Sequence, residues 1–496
     1  MRENFSLVDA AWLHMDEPTN MAVIVGVIMF EKPLEFARLK KLVRERLLRV
    51  PRFRQRVREP LFGVGIPQWE NDPHFDLDAH LHRIALPAPH DQAALHDLVG
   101  DFMSVPLDFS KPLWQFHLVE DYAGGCALIC RLHHSMADGL ALVQVLLSMA
   151  DNAPVVENDR AALTLAPNAN GARKRGGMVQ RAFKLARTGT QYVGAVMTSR
   201  EKMRDTAWLG ASSSLALGKL LFIGPDTPSP FKGKCGVVKR VAWTKPLPLA
   251  EVKYVARALG GTINDTLISA VAGALRRYLD ARDMDTTDMN LRAIVPVNLR
   301  APGDLDLDSL GNRFGLVFLS LPVGVEDPLL RMAVLKDRMD DIKRSPEALV
   351  AYGILGTLGA TPVAVERVVN MIFGMKATAV MTNVPGPREP LYLAQDRITG
   401  LMFWVPTPAN LALGVSIISY AGEVIVGINT DANLIPDPDE IVSAFVDEFH
   451  ALQALAAQRT PREPKALPSE TTPARIPKPR GAAKRAPTKR KTQPVA

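Results

Sequence analysis

The sequence predicts an α+β protein in which mixed β-sheets are flanked by helices and the chain is divided into two domains. Apolar runs of strand length alternate with segments whose apolar residues recur at helical spacing. The chain has 496 residues and 47% hydrophobic content, which is long for one domain and suits two domains of roughly 200 residues each. The two halves are compatible with two copies of one α+β plan.

In the first half, strands and helices alternate along the chain. The predicted elements, in order, are a strand at 21–30, helices at 35–49 and 92–105, strands at 113–119 and 127–132 with a turn at Gly124–Gly125, and a helix at 140–149. Residues 151–172 are rich in Asn, Ala and Pro, which is typical of a linker. The basic segment 173–204 that follows is predicted to be helical.

A second unit begins near Gly233 and ends with a hairpin and a helix. The predicted elements are strands at 236–243, 291–298, 314–322 and 376–382, helices at 249–259, 263–279 and between 327 and 374, a hairpin of 411–419 with 423–430 turning at Ala421–Gly422, and a closing helix at 438–457. The final 36 residues contain eight prolines and are predicted to be disordered.

The positive charge of the chain is confined to two segments. The net charge is +7, but residues 171–204 and 461–496 each contribute +8, which leaves −9 for the remainder. A nucleic-acid-binding core would place its basic face on the fold itself, so nucleic acid is not expected as a partner. Basic segments of this kind suit an anionic membrane surface instead.

Membrane contact, if it occurs, is expected to be peripheral. No run of 18 or more uncharged apolar residues exists, and the nearest approach, 207–223, is interrupted by three serines and Lys219. The opening residues lack the apolar core of a secretory signal, and three cysteines are an odd number, so a cytoplasmic setting without disulfides is expected. Cys126 and Cys130 face one side of a strand; buried thiols are favoured over half of a metal site.

The residues with catalytic chemistry are the histidine pair His133–His134, in the turn between a buried strand and a helix. Adjacent residues that leave a strand point in opposite directions, so only one imidazole can face a cleft and the other must be structural. This argues against a two-histidine metal site. A site made of His134 and Asp138 lacks a third ligand nearby, so no metal is predicted.

The two residues that end this turn have structural explanations. Asp138 falls at the expected N-cap of the next helix, where a carboxylate is favoured by free N–H groups and by the helix dipole. Gly139 permits a tight turn. A histidine pair alone is usually a matter of packing, whereas the full pattern His-His-x-x-x-Asp-Gly between strand and helix is far more specific.

The run His133-His134-Ser135-Met136-Ala137-Asp138-Gly139 resembles the HHxxxDG signature of the coenzyme-A-dependent acyltransferases. Further segments are similar to the bacterial wax ester synthase/diacylglycerol acyltransferase family over about residues 5–457, although that family often has Glu near Asp16. These segments are Asp9 to Met21, Pro106-Leu107-Asp108 with Pro112-Leu113-Trp114, Asn264-Asp265, Gly311-Asn312-Arg313-Phe314 and Thr382-Asn383-Val384-Pro385-Gly386-Pro387.

The resemblance implies two chloramphenicol-acetyltransferase-like domains with a tunnel at their interface. It implies the limits 1–160 for the N-terminal domain, 161–232 for a basic helical linker, 233–458 for the C-terminal domain and 459–496 for the tail. Acyl-CoA would enter from one side, and diacylglycerol or a fatty alcohol from the other. The enzyme would lie at the inner face of the plasma membrane or on lipid inclusions.

The resemblance also implies roles for individual residues. His134 would be the general base, with a pKa near neutrality, and His133 would support it. Thr382, Asn383 and Asn264 are candidates for the oxyanion site or the tunnel wall, and Arg313 is a weaker candidate for binding CoA. Neither a cofactor nor a covalent acyl-enzyme is required.

Several of these residues have equally simple structural interpretations. Asn264 is as well explained as the cap of a helix that starts near Asp265, and Trp114 and Phe314 are better explained as core aromatics. Pro385–Pro387 is better explained as a rigid turn.

Two other functions share the same sequence features. Condensation domains that join carrier-bound acyl or aminoacyl groups also contain HHxxxDG, although no carrier domain is visible in this chain. A non-catalytic lipid- or membrane-binding protein, in which the histidine pair is only packing, is the third possibility.

Overall fold

Two mixed β-sheets with flanking helices form the fold. The computed structural model describes residues 2–60, 65–153, 223–299, 311–358 and 363–459. The strands are β1 Arg2–Asn4, β2 Val23–Phe30, β3 Gln55–Arg58, β4 Gln68–Asn71, β5 Leu81–Ala85, β6 Trp114–Tyr122, β7 Gly125–His133, β8 Lys239–Trp243, β9 Leu247–Pro248, β10 Leu291–Asn298, β11 Phe314–Leu321, β12 Ala379–Pro385, β13 Tyr392–Leu393, β14 Asp396–Trp404, β15 Leu413–Tyr420 and β16 Glu423–Asp431. The helices are α1 Leu7–His14, α2 Phe36–Glu45, α3 Gln92–Met103, α4 Gly139–Ser148, α5 Leu249–Leu259, α6 Ile263–Asp280, α7 Pro328–Arg344, α8 Glu347–Leu358, α9 Val363–Met375 and α10 Pro438–Ala457.

The first sheet places the histidine pair at the end of a central strand. Its six strands have the order β13-β14-β2-β7-β6-β5, and only the β5–β6 pairing is parallel. All nine residues of β7 are buried, as expected for an apolar run with neighbours on both sides. A separate three-stranded sheet, β1-β4-β3, is formed from the first 71 residues.

The second sheet is also mixed. Its order is β11-β10-β12-β15-β16-β8, with β9 also paired to β16. The pairings of β10 with β12 and of β12 with β15 are parallel, and the others are antiparallel. Helices α6 and α10 pack beside each other over its apolar core. The predicted combination of mixed sheets and flanking helices is therefore confirmed.

Most of the predicted elements are present within a few residues of their expected limits. The helices at 249–259 and 438–457 and the strand at 291–298 have the predicted bounds, and the final hairpin turns at Ala421–Gly422. Cys126 and Cys130 are buried free thiols in β7, as expected. Sequence patterns did not reveal α1, the short strands β3 to β5, or the pair β13 and β14.

The two halves of the chain share the first sheet and its core. Residues 392–404, which were predicted in the C-terminal domain, supply β13 and β14 to the first sheet, where β14 pairs with β2. Helix α3 in turn lies against β8 of the second sheet, so closely that a Cβ on Gly100 would stand 2.8 Å from the Lys239 carbonyl oxygen. The described residues up to 459 belong to one compact unit. The predicted domain limits stay a prediction.

Both basic segments lie outside the described residues, as do the linker at 154–172 and the candidate interfacial stretch 207–222. Among the helices of the described ranges, none combines the length and the apolar character needed to cross a bilayer.

The first testable consequence concerns His117 of β6, which is 5% exposed and has no hydrogen-bond partner for either ring nitrogen among the described residues. Burial lowers its pKa to about 3. The unfolded chain, with a pKa near 6.5, therefore binds a proton that the folded protein excludes, and the free energy of unfolding falls as the pH drops below 6.5. We expect His117→Leu to remove this loss, which is about 2 kcal/mol at pH 5.

Thermal unfolding at pH 5 and pH 7.5 measures the effect. The variant should gain more in Tm at pH 5 than at pH 7.5, whereas the exposed His74→Gln serves as the matched control and should show no such difference. An equal gain at both pH values would contradict the interpretation.

Candidate active site

The site is built on the turn that follows β7, between the first sheet and α4. Strand β7 ends at His133, and α4 begins at Gly139 after its N-cap, Asp138. The His134 main-chain N–H donates to the Ala22 carbonyl oxygen at 2.7 Å, which continues the β2–β7 pairing by one further residue. The turn is thus held to the sheet at the second histidine.

The two imidazoles have different neighbours, as the alternation along a strand predicts. The main-chain N–H of Ser135 donates to His133 Nδ1 at 3.1 Å, so we assign the ring hydrogen to Nε2. His133 Nε2 lies 3.6 Å from Asp16 Oδ1, the same oxygen that accepts the Ala22 main-chain N–H at 2.5 Å. His133 is fully buried and therefore supports the turn, and Asp16 takes part in holding it.

His134 lies in an aromatic environment. Its ring stacks on Trp12 with 4.0 Å between centroids and 12° between planes, and Phe314 lies 5.5 Å away on a tilted plane. The residue is 4% exposed, and Nδ1 is buried with no hydrogen-bond partner among the described residues. Trp12 was not among the predicted site residues, and Phe314 is both a core aromatic and a neighbour of the ring.

Burial determines the charge state of His134. Loss of hydration lowers its pKa to about 4, and the nearby Asp138 carboxylate, which favours the protonated ring, offsets only part of this effect. The expectation of a pKa near neutrality was wrong, because burial of the ring disfavours its charged form. At pH 7 the imidazole is neutral and can accept a proton.

Asp138 has the structural role that the sequence predicted. Its Oδ1 accepts the Ala141 main-chain N–H at 2.9 Å, which is the N-cap bond of α4, and its Oδ2 accepts the Arg313 main-chain N–H at 3.1 Å. Gly139 follows, and a Cβ at this position would face the side chains of Val405 and Ile24. The carboxylate is thus engaged by two main-chain donors, which does not suit a metal site shared with His134.

The residue that sequence reasoning missed is Asn312, which comes from the second half of the chain. Its Nδ2 donates to the His134 carbonyl oxygen at 2.8 Å and to Asp9 Oδ1 at 2.7 Å, and its main-chain N–H donates to the same Asp9 oxygen at 2.9 Å. Asn312 and Asp9 are each 3% exposed. The segment Gly-Asn-Arg-Phe was noticed in the sequence, but nothing in it indicated which side chain turns inward.

Arg313 is exposed, and its main chain joins the site through Asp138. Its suggested contact with CoA stays a prediction.

Of the other candidates, Thr382 and Asn383 lie on β12 of the second sheet and Asn264 lies in α6. Thr382 Oγ1 donates to Ser416 Oγ at 3.1 Å, and Asn383 Nδ2 donates to Asn264 Oδ1 at 2.9 Å. Within the described ranges, no hydrogen bond joins Thr382, Asn383 or Asn264 to His134. Their roles at an oxyanion site or in a tunnel stay predictions.

The suggested cap role of Asn264 is wrong. Thr262 is the N-cap of α6 and forms a reciprocal capping box with Asp265, so Asn264 is already inside the helix. The sequence Thr-x-x-Asp contained this signal.

Trp114 is a core aromatic, as favoured: it is fully buried, and its indole N–H donates to the Phe53 carbonyl oxygen at 2.9 Å. The turn after β12 is held by the Gly386 N–H, which donates to the Ser419 carbonyl oxygen at 2.8 Å, as expected for a rigid connection at Pro385–Pro387.

A mixed two-sheet fold with HHxxxDG between a central strand and a helix defines an acyltransferase of the coenzyme-A-dependent class. The wax ester synthase/diacylglycerol acyltransferase catalytic domain model matches residues 5–267, and the model of the WS/DGAT C-terminal domain matches residues 310–453. The chain belongs to the wax ester synthase/diacylglycerol acyltransferase family.

Curated relatives agree with this assignment. A probable diacylglycerol O-acyltransferase of Mycobacterium tuberculosis is 28% identical over 92% of this chain and 97% of the relative. A putative diacylglycerol O-acyltransferase of the same species is 30% identical over 92% of this chain and 98% of the relative.

Solved structures agree on the fold. The wax ester synthase/diacylglycerol acyltransferase from Marinobacter aquaeolei VT8 matches with a TM-score of 0.66 and 22% identity, covering 91% of this chain and all of that one. The first condensation domain of the calcium-dependent antibiotic synthetase matches with a TM-score of 0.57 and 14% identity, covering 92% and 97%.

The two hydrogen bonds that Asp138 accepts from main-chain donors can be tested for their contribution to stability. Asp138→Asn keeps one oxygen for the α4 cap but can place an amide N–H against the Arg313 N–H, whereas Asp138→Ala removes both acceptors. We expect the free energy of unfolding to decrease in the order wild type, Asn, Ala, with about 1–3 kcal/mol lost in the Ala variant.

Urea unfolding followed by circular dichroism measures this order. Asp91→Ala is the matched control, because it removes the equivalent N-cap bond from α3, where Asp91 accepts the Ala94 N–H at 3.0 Å, without a second main-chain contact. A loss at Asp138 no greater than the loss at Asp91 would show that the Arg313 contact adds nothing.

Proposed function

We propose that this protein transfers a long-chain acyl group from acyl-CoA to the hydroxyl of diacylglycerol, of a long-chain alcohol, or of both, with His134 as the general base. The observation that supports this role is a neutral imidazole in the HHxxxDG turn whose main chain is held by both halves of the chain. The neutral state matters because only an unprotonated ring can take a proton from the acceptor hydroxyl.

In the proposed reaction, His134 accepts the hydroxyl proton while the acceptor oxygen attacks the thioester carbonyl carbon. A carbon–oxygen bond forms, the carbon–sulfur bond breaks, and the CoA thiolate departs with the proton that the imidazolium returns. A buried ring suits both steps, because its lowered pKa makes the imidazolium a strong acid toward the leaving thiolate. The step consumes no cofactor, and none is proposed.

The oxyanion of the tetrahedral intermediate requires a preorganised donor. We assign this task to the Thr382 hydroxyl or the Asn383 amide, in the middle of β12, with Asn264 as the partner that orients Asn383 at 2.9 Å. A tunnel between the halves would bring both substrates to His134, and Arg313 would meet the CoA phosphates.

The acceptors proposed here are apolar, so the enzyme is expected to draw them from a membrane or lipid inclusion at the cytoplasmic side. The support is the charge pattern of the sequence, in which residues 171–204 and 461–496 each have a net charge of +8.

A condensation reaction on carrier-bound thioesters is the second candidate, because the fold also matches condensation domains with TM-scores up to 0.57. Free acyl-CoA as the accepted donor would decide against it.

Replacement of His134 tests the assignment of the base. We expect His134→Ala to lower kcat by about 10²- to 10⁴-fold, as is typical when a general base is lost. His133→Ala should act through stability and should lower Tm as well as activity, because that ring is fully buried and bonded to the turn. A folded His134→Ala protein with full acyl transfer would show that His134 is not the general base, whereas a folded wild-type protein without any acyl transfer would favour the non-catalytic lipid-binding interpretation.

The acceptor is identified by product analysis. Purified protein is incubated with palmitoyl-CoA and either hexadecanol or dipalmitoylglycerol, and the lipids are then separated. We expect ester in at least one mixture, because the neutral base needs only a hydroxyl within reach. Free fatty acid alone, or transfer only from a carrier-bound thioester, would refute the proposed function.

A further inference from the structure

Helix α1 presents two buried side chains to the histidine turn. The helix starts after Ser6, whose hydroxyl accepts the Asp9 main-chain N–H at 3.1 Å. Asp9 and Trp12 are three positions apart and therefore lie on one face of the helix. They are 3% and 4% exposed, and the Trp12 indole N–H has no hydrogen-bond partner among the described residues. Hydrogen bonding by the indole therefore does not explain why Trp12 is placed here.

The contact that Trp12 does make is with the face of the His134 ring. The two planes are nearly parallel, at 12°, with 4.0 Å between centroids. Phe314 completes the enclosure, 5.5 Å from His134 and 6.0 Å from Trp12. His134 Nδ1 has no hydrogen-bond partner in the described part of the chain, and the nearly parallel stacking on Trp12 restricts how far the imidazole can turn out of its plane.

The second side chain acts on the main chain of the same residue. Asp9 Oδ1 accepts hydrogen bonds from the main-chain N–H and from the side-chain amide of Asn312. The same side-chain amide also donates to the His134 carbonyl oxygen. The carboxylate therefore fixes the orientation of the amide, and the amide fixes the His134 peptide. Both partners are buried, so the three groups are shielded from competing water.

We propose that α1 positions the general base, with Trp12 setting the plane of the His134 ring and Asp9, through Asn312, holding its main chain. The inference rests on the proposed function of His134. Trp12, Asp9 and Asn312 are positioning residues, since each acts on substrate only through His134.

Two effects are expected when Trp12 is replaced by a residue with an aliphatic side chain. The ring loses its fixed plane, which lowers the rate of proton transfer without altering how the substrates bind. Water also reaches the ring, so the pKa of His134, which burial holds at about 4, rises toward its ordinary value of 6.5. As the pH is lowered, the ring then becomes protonated at a higher pH than in the wild type. The acid limb of the pH profile of kcat/KM therefore shifts to higher pH.

The test compares Trp12→Leu with Trp12→Phe. For the Leu variant we expect kcat to fall about tenfold to a hundredfold, the KM for palmitoyl-CoA to stay within about twofold, and the acid limb to move upward. The Phe variant keeps an aromatic face and should retain most of kcat and the wild-type limb.

Trp69→Leu is the matched control. Trp69 is fully buried and stacks on Phe5 with 4.0 Å between centroids and 10° between planes, and its indole N–H also lacks a partner among the described residues. The Trp69→Leu variant loses a comparable aromatic stack, between Trp69 and Phe5, that does not involve His134. Its Tm should fall as in Trp12→Leu, whereas kcat per folded molecule and the acid limb should match the wild type.

If Trp12→Leu does not fold, Asn312→Ala tests the main-chain arm with the same measurements, and a fall in kcat at unchanged KM is again expected. Wild-type kcat and limb in Trp12→Leu, or a rise in KM alone, would overturn the positioning role while leaving the proposed function intact. Activity that survives His134→Ala would instead remove the general base, and the positioning inference with it.

Discussion

Two hydrogen bonds from residues 312 and 313 hold the histidine turn to the second half of the chain. The Asn312 amide donates to the His134 carbonyl oxygen, and the Arg313 N–H donates to the Asp138 carboxylate. The other carboxylate oxygen of Asp138 accepts the Ala141 N–H and so caps the start of α4. A single aspartate therefore connects the turn, the helix and the second half of the chain. The turn is buried, and an unmet donor or acceptor there would cost about 1–3 kcal/mol. The position of His134 therefore depends on contacts from both halves.

The same burial makes the imidazole chemically useful. In water, a histidine is partly protonated near neutral pH, and that fraction cannot act as a base. Between Trp12 and Phe314 the charged form loses its hydration, so the pKa of His134 falls to about 4 and the ring is neutral. The cost is a weaker base, which is offset only where the site stabilises the negative charge on the attacked carbonyl. This requirement explains why the donors in β12, Thr382 and Asn383, matter to the proposed mechanism.

The exchange of elements between the halves makes the fold hard to divide. Strand β14 lies in the chain between β12 and β15 of the second sheet, yet it pairs with β2, the neighbour of the histidine strand. Helix α3 covers β8, and the Ser104 hydroxyl accepts the Lys239 N–H at 2.8 Å. A change in how the sheets pack would move β2, and with it the Ala22 carbonyl that holds His134. The geometry of the site therefore depends directly on how the two sheets are arranged.

The sequence by itself determined the features that depend on near neighbours in the chain. The hairpin at Ala421–Gly422, the closing helix and the Asp138 cap follow from periodicity, turn residues and capping groups within a few positions. The signature His-His-x-x-x-Asp-Gly placed the histidine pair between a strand and a helix, because strand, turn and helix there are contiguous. The Thr262–Asp265 capping box was equally local and was overlooked in favour of Asn264.

Only the tertiary structure decided which distant groups meet at His134. Asn312 is 178 positions away, and Trp12 lies on a short helix with little amphipathic pattern, so no local spacing indicates either contact. The charge state of His134 was also beyond the sequence, because hydration depends on how completely other elements cover the ring. Residues 396–404 follow strands of the second sheet in the chain, and only the pairing with β2 places them in the first. Chain-local forces fix the elements, whereas burial and pairing across long separations fix the site.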